Sequence, residues 1–181
     1  QGTEAGGHCG EISTMVLVPQ IVDAVGDRVP VLAAGGIGDG RQMAAAMALG
    51  AQGVWCGSVW LLTSEASETP EVVANLLAAS SADAIRSRVM TGKPARQLRT
   101  KWTAAWEQPD APTPLPMPLQ GLLYAEAAGR FSRVHTKDFA GSPVGQIVGS
   151  IDTVRPARQV VGEMVEQWIE TMERMNALME H

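Results

Sequence analysis

Cysteine is scarce in this chain. Its two copies, Cys9 and Cys56, show no C-x-x-C spacing and no paired histidines to complete a metal set, so neither a disulfide framework nor a metal site is expected. Reduced thiols of a cytoplasmic protein are the plain reading. Basic runs are absent as well: 14 Lys and Arg against 19 Asp and Glu leave a formal net charge of −5 at pH 7, which excludes a groove that tracks a nucleic-acid backbone. An acidic chain can still hold one small anion with main-chain N–H groups. No Met and no cationic leader with an apolar segment opens the sequence. The one long uncharged stretch, Gln42 to Ser64, is broken by Gly50, Gly53, Gly57 and Ser58, so no membrane span is expected.

What is present reads as a globular α/β protein. Apolar residues make up 45% of 181 positions, enough for one compact domain with a smaller appendage. Met15, Val18, Ile21, Val22 and Val25 keep helical spacing up to Gly26. The apolar run VPVLAAGG, Val29 to Gly36, is too short for a buried helix and fits a strand covered on both faces of a parallel sheet. Asp39 then caps an Ala-rich helix that stops at Gly50, and GVWCGS forms a second short strand. Beyond Leu62 the pattern turns helical, with a helix introduced by Pro70 and no further continuous strand runs. Prolines at 109, 112, 114, 116 and 118 make a stiff extended strap expected to lie on the protein's own surface. A long amphipathic helix closes the chain, with Val161, Met164, Val165, Trp168, Ile169, Met172, Met175 and Leu178 on one stripe that reads as core or, alternatively, as the contact of a homo-oligomer.

Three glycine-rich loops carry the chemistry: GTEAGGH (Gly2 to His8), AAGGIGDG (Ala33 to Gly40) and CGS (Cys56 to Ser58). Glycine lets main-chain N–H groups approach a ligand, and a following helix start favours negative charge. Two successive strand ends that offer Gly35-Gly36 and Gly57-Ser58 can share one phosphate. That layout suits a (β/α)8 barrel, where the loops after the last two strands build a phosphate site. Gly36, Gly38 and Gly40 do not keep the G-x-G-x-x-G spacing of a dinucleotide fold.

QGTEAGGH followed by PVLAAGGIGDGRQMAAAMALGAQGVWCGS resembles the C-terminal part of the FMN-dependent nitronate monooxygenase family. The same motifs occur in flavin-type enoyl-acyl-carrier-protein reductases and NAD(P)H-dependent flavin oxidoreductases. The match is strong over about the first 65 residues, and Gly92 to Trp102 is similar to a G-[KR]-P-[AV]-R element of such proteins. The resemblance implies the C-terminal portion of a (β/α)8 TIM barrel with a mostly helical cap and C-terminal segment. Residues 1–65 would form the last strands and phosphate loops, 66–119 a helical cap with the Pro-rich strap, and 120–181 a C-terminal helical segment. A whole barrel takes about 250 residues, so the N-terminal barrel half is expected upstream in the same polypeptide or in a companion chain.

The resemblance further implies FMN as cofactor, with NAD(P)H as a reductant in the second reading. Gln1 would lie near the flavin ring, Gly6 and Gly7 in a cofactor loop, Gly35 and Gly36 on the phosphate, Gly57 and Ser58 completing its cradle, and Trp55 and Cys56 alongside. His8 is the candidate for proton chemistry, since an imidazole takes or gives a proton near neutral pH. Its small-molecule substrate would be an alkyl nitronate or nitroalkane oxidised with dioxygen or, alternatively, an acyl-CoA or acyl-carrier thioester; a non-catalytic scaffold is the reading from another class. Glu4 reads as structural, Cys9 as no nucleophile, and His135 and His181 as surface residues. Lys93, Arg96 and Arg99 are candidates either for a phosphate-bearing substrate or for a solvated basic face.

Overall fold

The computed structural model describes residues 1–180; His181 lies outside them. Its centre is a parallel pair of short strands, β2 (Leu32–Ala33) and β3 (Gly53–Val54), in register Leu32 to Gly53 and Ala33 to Val54. Two helices, α1 (Thr14–Val25) and α2 (Gly40–Ala48), precede and join them. The crossover through α2 is what lets the two strands run parallel. Ala33 is 1% exposed but Leu32 is 51% exposed, so the strand expected to be covered on both faces is covered on one. The open side also carries Val29 and Trp55. The described residues form no closed barrel.

Asp39 begins α2 as anticipated, and does so as half of a capping box. Its carboxylate accepts from the amides of Arg41 and Gln42, while Gln42 Oε1 accepts from the amides of Gly38 and Asp39. Burial pushes the Asp39 carboxyl up, but the Arg41 side chain and the two amides more than offset it and hold it below its usual range.

Beyond a 3₁₀ turn at Ser58–Leu62 comes α3 (Pro70–Ala78), with Pro70 in its first turn and Thr69 accepting from the Val72 amide. The next stretch departs from the helical expectation. β4 (Ala84–Ser87) and β5 (Ala95–Leu98) pair antiparallel, and β5 pairs on its other side with β1 (Gly7–His8), giving the order β1-β5-β4. All four residues of β5 are buried, including Arg96 and Gln97, so no apolar alternation marks the strand in its sequence.

A short helix α4 (Lys101–Ala105) leads to the strap, which has no regular structure between residues 111 and 116, as five prolines require. The strap is tied down by Gln120, which is fully buried: its Oε1 accepts from Leu115 N and its Nε2 donates to Val89 O. Gln120 belongs to α5 (Leu119–Val134), whose Tyr124 and Phe131 gather around Trp102.

The chain ends in α6 (Ala157–Met179), which crosses α2 with Val160 and Met164 buried and Gln167 Oε1 accepting from Gly40 N. Much of the stripe expected as core is open here: Val161, Val165, Ile169, Met172, Met175 and Leu178 are exposed, because the contact with α2 falls one residue round the helix. Among the described residues no helix is long and apolar enough to cross a membrane.

Replacing Asp39 with Ala removes one half of the capping box and should cost about 1 kcal/mol, read as a lower unfolding midpoint in denaturant. Because the folded carboxyl sits below its usual value, this contribution is present above the unfolded carboxyl's titration and fades as pH falls through the folded one. Wild type and Asp39→Ala should therefore converge in acid and differ fully at neutral pH.

Candidate functional site

A cleft of about 290 Å³ opens at the carboxyl ends of β2 and β3. Its lining includes Gln1, Gly6, Gly7, Gly35, Gly36, Trp55, Cys56, Gly57 and Ser58, all nine residues singled out in the sequence as cofactor contacts. Their convergence follows from local structure. Gly35 and Gly36 adopt φ of 107° and 70°, left-handed conformations that side-chain-bearing residues rarely take, and so turn the chain sharply after β2. Gly57 and Ser58 begin the 3₁₀ turn after β3. Among the described residues, none of the main-chain N–H groups of Gly35, Gly36, Gly57 and Ser58 has a hydrogen-bond partner.

Two helices contribute less than their position suggests. The amides around the start of α2 are already taken, those of Gly38 and Asp39 by Gln42, that of Gly40 by Gln167 and those of Arg41 and Gln42 by Asp39, leaving the Gly35–Gly36 turn as the unpaired stretch. Glu4, expected to be structural, is: its carboxylate accepts from Thr14 N at 3.0 and 3.2 Å, which caps α1 in place of Ser13. Thr14 Oγ1 in turn stands 2.9 Å from both Glu4 Oε2 and Gly35 O.

Residues 142–149 form a wall that sequence reasoning missed. Pro143, Gly145 and Ile147 line the cleft, with Ala5, Ala34, Ile37 and Leu61 filling in between the loops. Gly145 N donates to Ser58 Oγ at 2.8 Å, and Gln146 N donates to Glu4 O at 2.9 Å. A Cβ on Gly145 would fall 2.6 Å from Glu4 O and 3.0 Å from Gly6 N, so only glycine fits between the two loops. The pattern GSPVGQIVG, with glycines spaced among apolar residues as in the other loops, was the available signal. With its lone pair engaged by Gly145, the Ser58 hydroxyl keeps its proton to donate into the cleft.

His8 is not among the lining residues. It follows Gly7 on β1, is exposed, and its Nε2 lies 2.7 Å from Thr91 Oγ1 in the β4–β5 turn. Gln1 closes this loop from the other end, its Nε2 donating to the His8 carbonyl. Cys56 is half-buried, and burial pushes its thiol up, which leaves it protonated and unreactive at neutral pH. His135 is exposed at the end of α5. Of the three candidate phosphate cations, Arg99 is paired with Glu107 at 2.6 Å, Lys93 is exposed, and Arg96 is buried, which removes it from any solvated face.

The fold and the cleft define an α/β protein with a glycine-rich cleft built from the turns after two adjacent parallel strands. The nitronate monooxygenase family model matches residues 1–167, and the chain belongs to that family of FMN-dependent flavoproteins. A Mycobacterium tuberculosis protein named only as a monooxygenase is 55% identical over 186 residues, covering 99% of this chain and 49% of that protein. The nitroalkane oxidase of Streptomyces ansochromogenes superposes with a TM-score of 0.82 at 28% identity, over 97% of this chain and 52% of that one. FabK of Thermotoga maritima superposes at 0.78 with 34% identity, over 98% of this chain and 55% of that one. The chain thus spans about half the length of the relatives it matches.

Ser58→Ala strands the Gly145 amide and removes the hydroxyl that would donate to a ligand in the cleft, each a loss of about 1–3 kcal/mol. FMN affinity, followed by quenching of flavin fluorescence, should fall at least about tenfold while Ser58→Thr stays near wild type; equal affinities for Ala and wild type would remove Ser58 from the cradle.

Proposed function

We propose that this chain supplies the phosphate cradle and one ring-edge wall of an FMN-dependent oxidoreductase that oxidises alkyl nitronates with dioxygen. The observation that carries the reading is the row of unpaired amides at Gly35, Gly36, Gly57 and Ser58 facing one cleft whose size and donor set suit a phosphate with its chain. In this reading Gly35 and Gly36 donate to phosphate oxygens, Gly57 and the Ser58 hydroxyl complete the grip, Trp55 and Cys56 flank it, and Gln1, Gly6 and Gly7 border the flavin ring. Bound FMN would supply the electron transfer, and the protein supplies orientation and protons.

His8 is the residue we assign to removing the α proton of a nitroalkane, which yields the nitronate, or to orienting a substrate that already arrives as its nitronate. Its exposed ring sits at the end of the cleft loop, where a substrate over the ring-edge wall would meet it, and Thr91 fixes its orientation. Departure of the Thr91 contact frees Nε2 for that proton. We further propose that the described residues are the C-terminal portion of a (β/α)8 barrel, with 66–119 and 120–181 as cap and C-terminal segment. The exposed apolar side of Val29, Leu32 and Trp55 is where the remaining strands, from the same polypeptide or a companion chain, would pack. The unpaired cysteines suit a reducing compartment, and we place the protein in the cytoplasm.

A second reading, NAD(P)H-driven reduction of an activated double bond or dehydrogenation of an acyl thioester, draws on the motifs shared with flavin-type enoyl-acyl-carrier-protein reductases and NAD(P)H-dependent flavin oxidoreductases. Anaerobic mixing separates the two. Bleaching of the visible flavin band by propyl-2-nitronate is the expected result, bleaching only by NADH or NADPH selects the second reading, and a colourless purified protein leaves a scaffold. With a neutral nitroalkane as substrate, His8→Gln should lower kcat/KM by about 10²–10⁴-fold with little change in FMN affinity; an unchanged rate with the nitroalkane would remove His8 from the proton step.

A further inference from the structure

We propose that Arg96 is a positioning residue for the cleft, one that sets both the shape of the Gln1–His8 loop and the positive potential at its ring-edge wall. The proposal rests on the flavin reading above. Arg96 sits on β5 directly opposite Gly7 of β1, and it is 8% exposed. Its Nε donates to Thr3 O at 2.8 Å and its Nη1 donates to Ala84 O, so a single guanidinium ties the cleft loop to the strand on the far side of the sheet. Both partners are neutral carbonyls.

That arrangement is costly. A guanidinium keeps its charge inside a protein, and a buried charge is disfavoured unless an opposite charge balances it. Among the described residues no carboxylate forms an ion pair with Arg96. Glu11 neutralises Arg86, the residue paired with Arg96 across β4, at 3.1 Å. Glu4, on the loop itself, is engaged by Thr14. The Arg86–Arg96 pair places like charges opposite each other on one face of the sheet, an arrangement that by itself destabilises pairing. A buried cation held by two neutral carbonyls and without an ion-pair partner, on the strand that pairs with Gly7, favours negative charge in the cleft. Amides do this at the phosphate end; Arg96 does it where reduced FMN or an anionic nitronate carries its charge.

The test uses the full-length protein as wild type, Arg96→Met and Arg96→Lys, with three readouts. These are the dissociation constant for oxidised FMN, the two-electron midpoint potential by dithionite titration against a reference dye, and hydrogen exchange in residues 1–8. Arg96→Met should bind oxidised FMN about tenfold more weakly and reduced FMN a further tenfold, which is a potential about 30 mV lower. Arg96→Lys keeps the charge but cannot span both carbonyls, so affinity should fall several-fold while the potential stays at the wild-type value. An Arg96→Met potential equal to wild type, or an Arg96→Lys potential that drops with its affinity, overturns the electrostatic role. Should Arg96→Met not fold, Arg96→Lys decides alone by that separation of affinity from potential. A wild type that binds no FMN sinks the flavin reading instead, and exchange in residues 1–8, which needs no flavin, still judges the clamp: faster in Arg96→Lys supports it, unchanged overturns it.

Discussion

Four segments of the chain meet at Glu4. Its carboxylate caps α1 through Thr14, the Thr14 hydroxyl reaches the carbonyl of Gly35, and the Glu4 carbonyl accepts from Gln146. One acidic residue therefore fixes the relative height of the opening loop, the first helix, the turn after β2 and the late wall of the cleft. The charge suits the place, since a carboxylate at a helix start is favoured by the helix dipole and saturates amides that would otherwise stay unpaired. With those amides satisfied by protein, the amides of Gly35, Gly36, Gly57 and Ser58 remain without a partner among the described residues.

The parts of the fold legible in the sequence are those where local chemistry and tertiary contact agree. Asp39 and Gln42 announce α2 because a capping box is complete within four residues, and Pro70 marks α3 for the same reason. β4 and β5 were not legible. Arg96 and Gln97 are polar, yet they are buried, and what permits burial of Arg96 is a pair of carbonyls 93 and 12 residues away. Sequence patterning records alternation of apolar and polar residues, and a strand whose inward residues are polar with distant partners erases it. α6 shows the milder failure: its period was plain, but an apolar arc wider than its contact with α2 does not say which residues of the arc are covered.

For the cleft the situation is similar. Gly35, Gly36, Gly57 and Ser58 were visible because glycine-rich turns at two successive strand ends can share one anion, whereas Gln1, Gly6, Gly7, Trp55 and Cys56 were named only through the family likeness. The wall at Pro143, Gly145 and Ile147 escaped because its meaning depends on lying against Ser58 and Glu4, more than eighty residues earlier in the chain. His8 stands between these cases. Its position beside Gly7 was predictable, whereas its bond to Thr91 depends on the unforeseen hairpin of β4 and β5.

The bond between Gly145 and Ser58 has a temporal meaning. During synthesis the β2–α2–β3 unit and its turns leave the ribosome long before Gly145 does, so the nascent chain can organise its parallel pair while the pocket is still open on one side. Contacts of such long sequence separation form late and slowly. The late wall therefore closes the cleft only after the parallel pair and its turns can have organised.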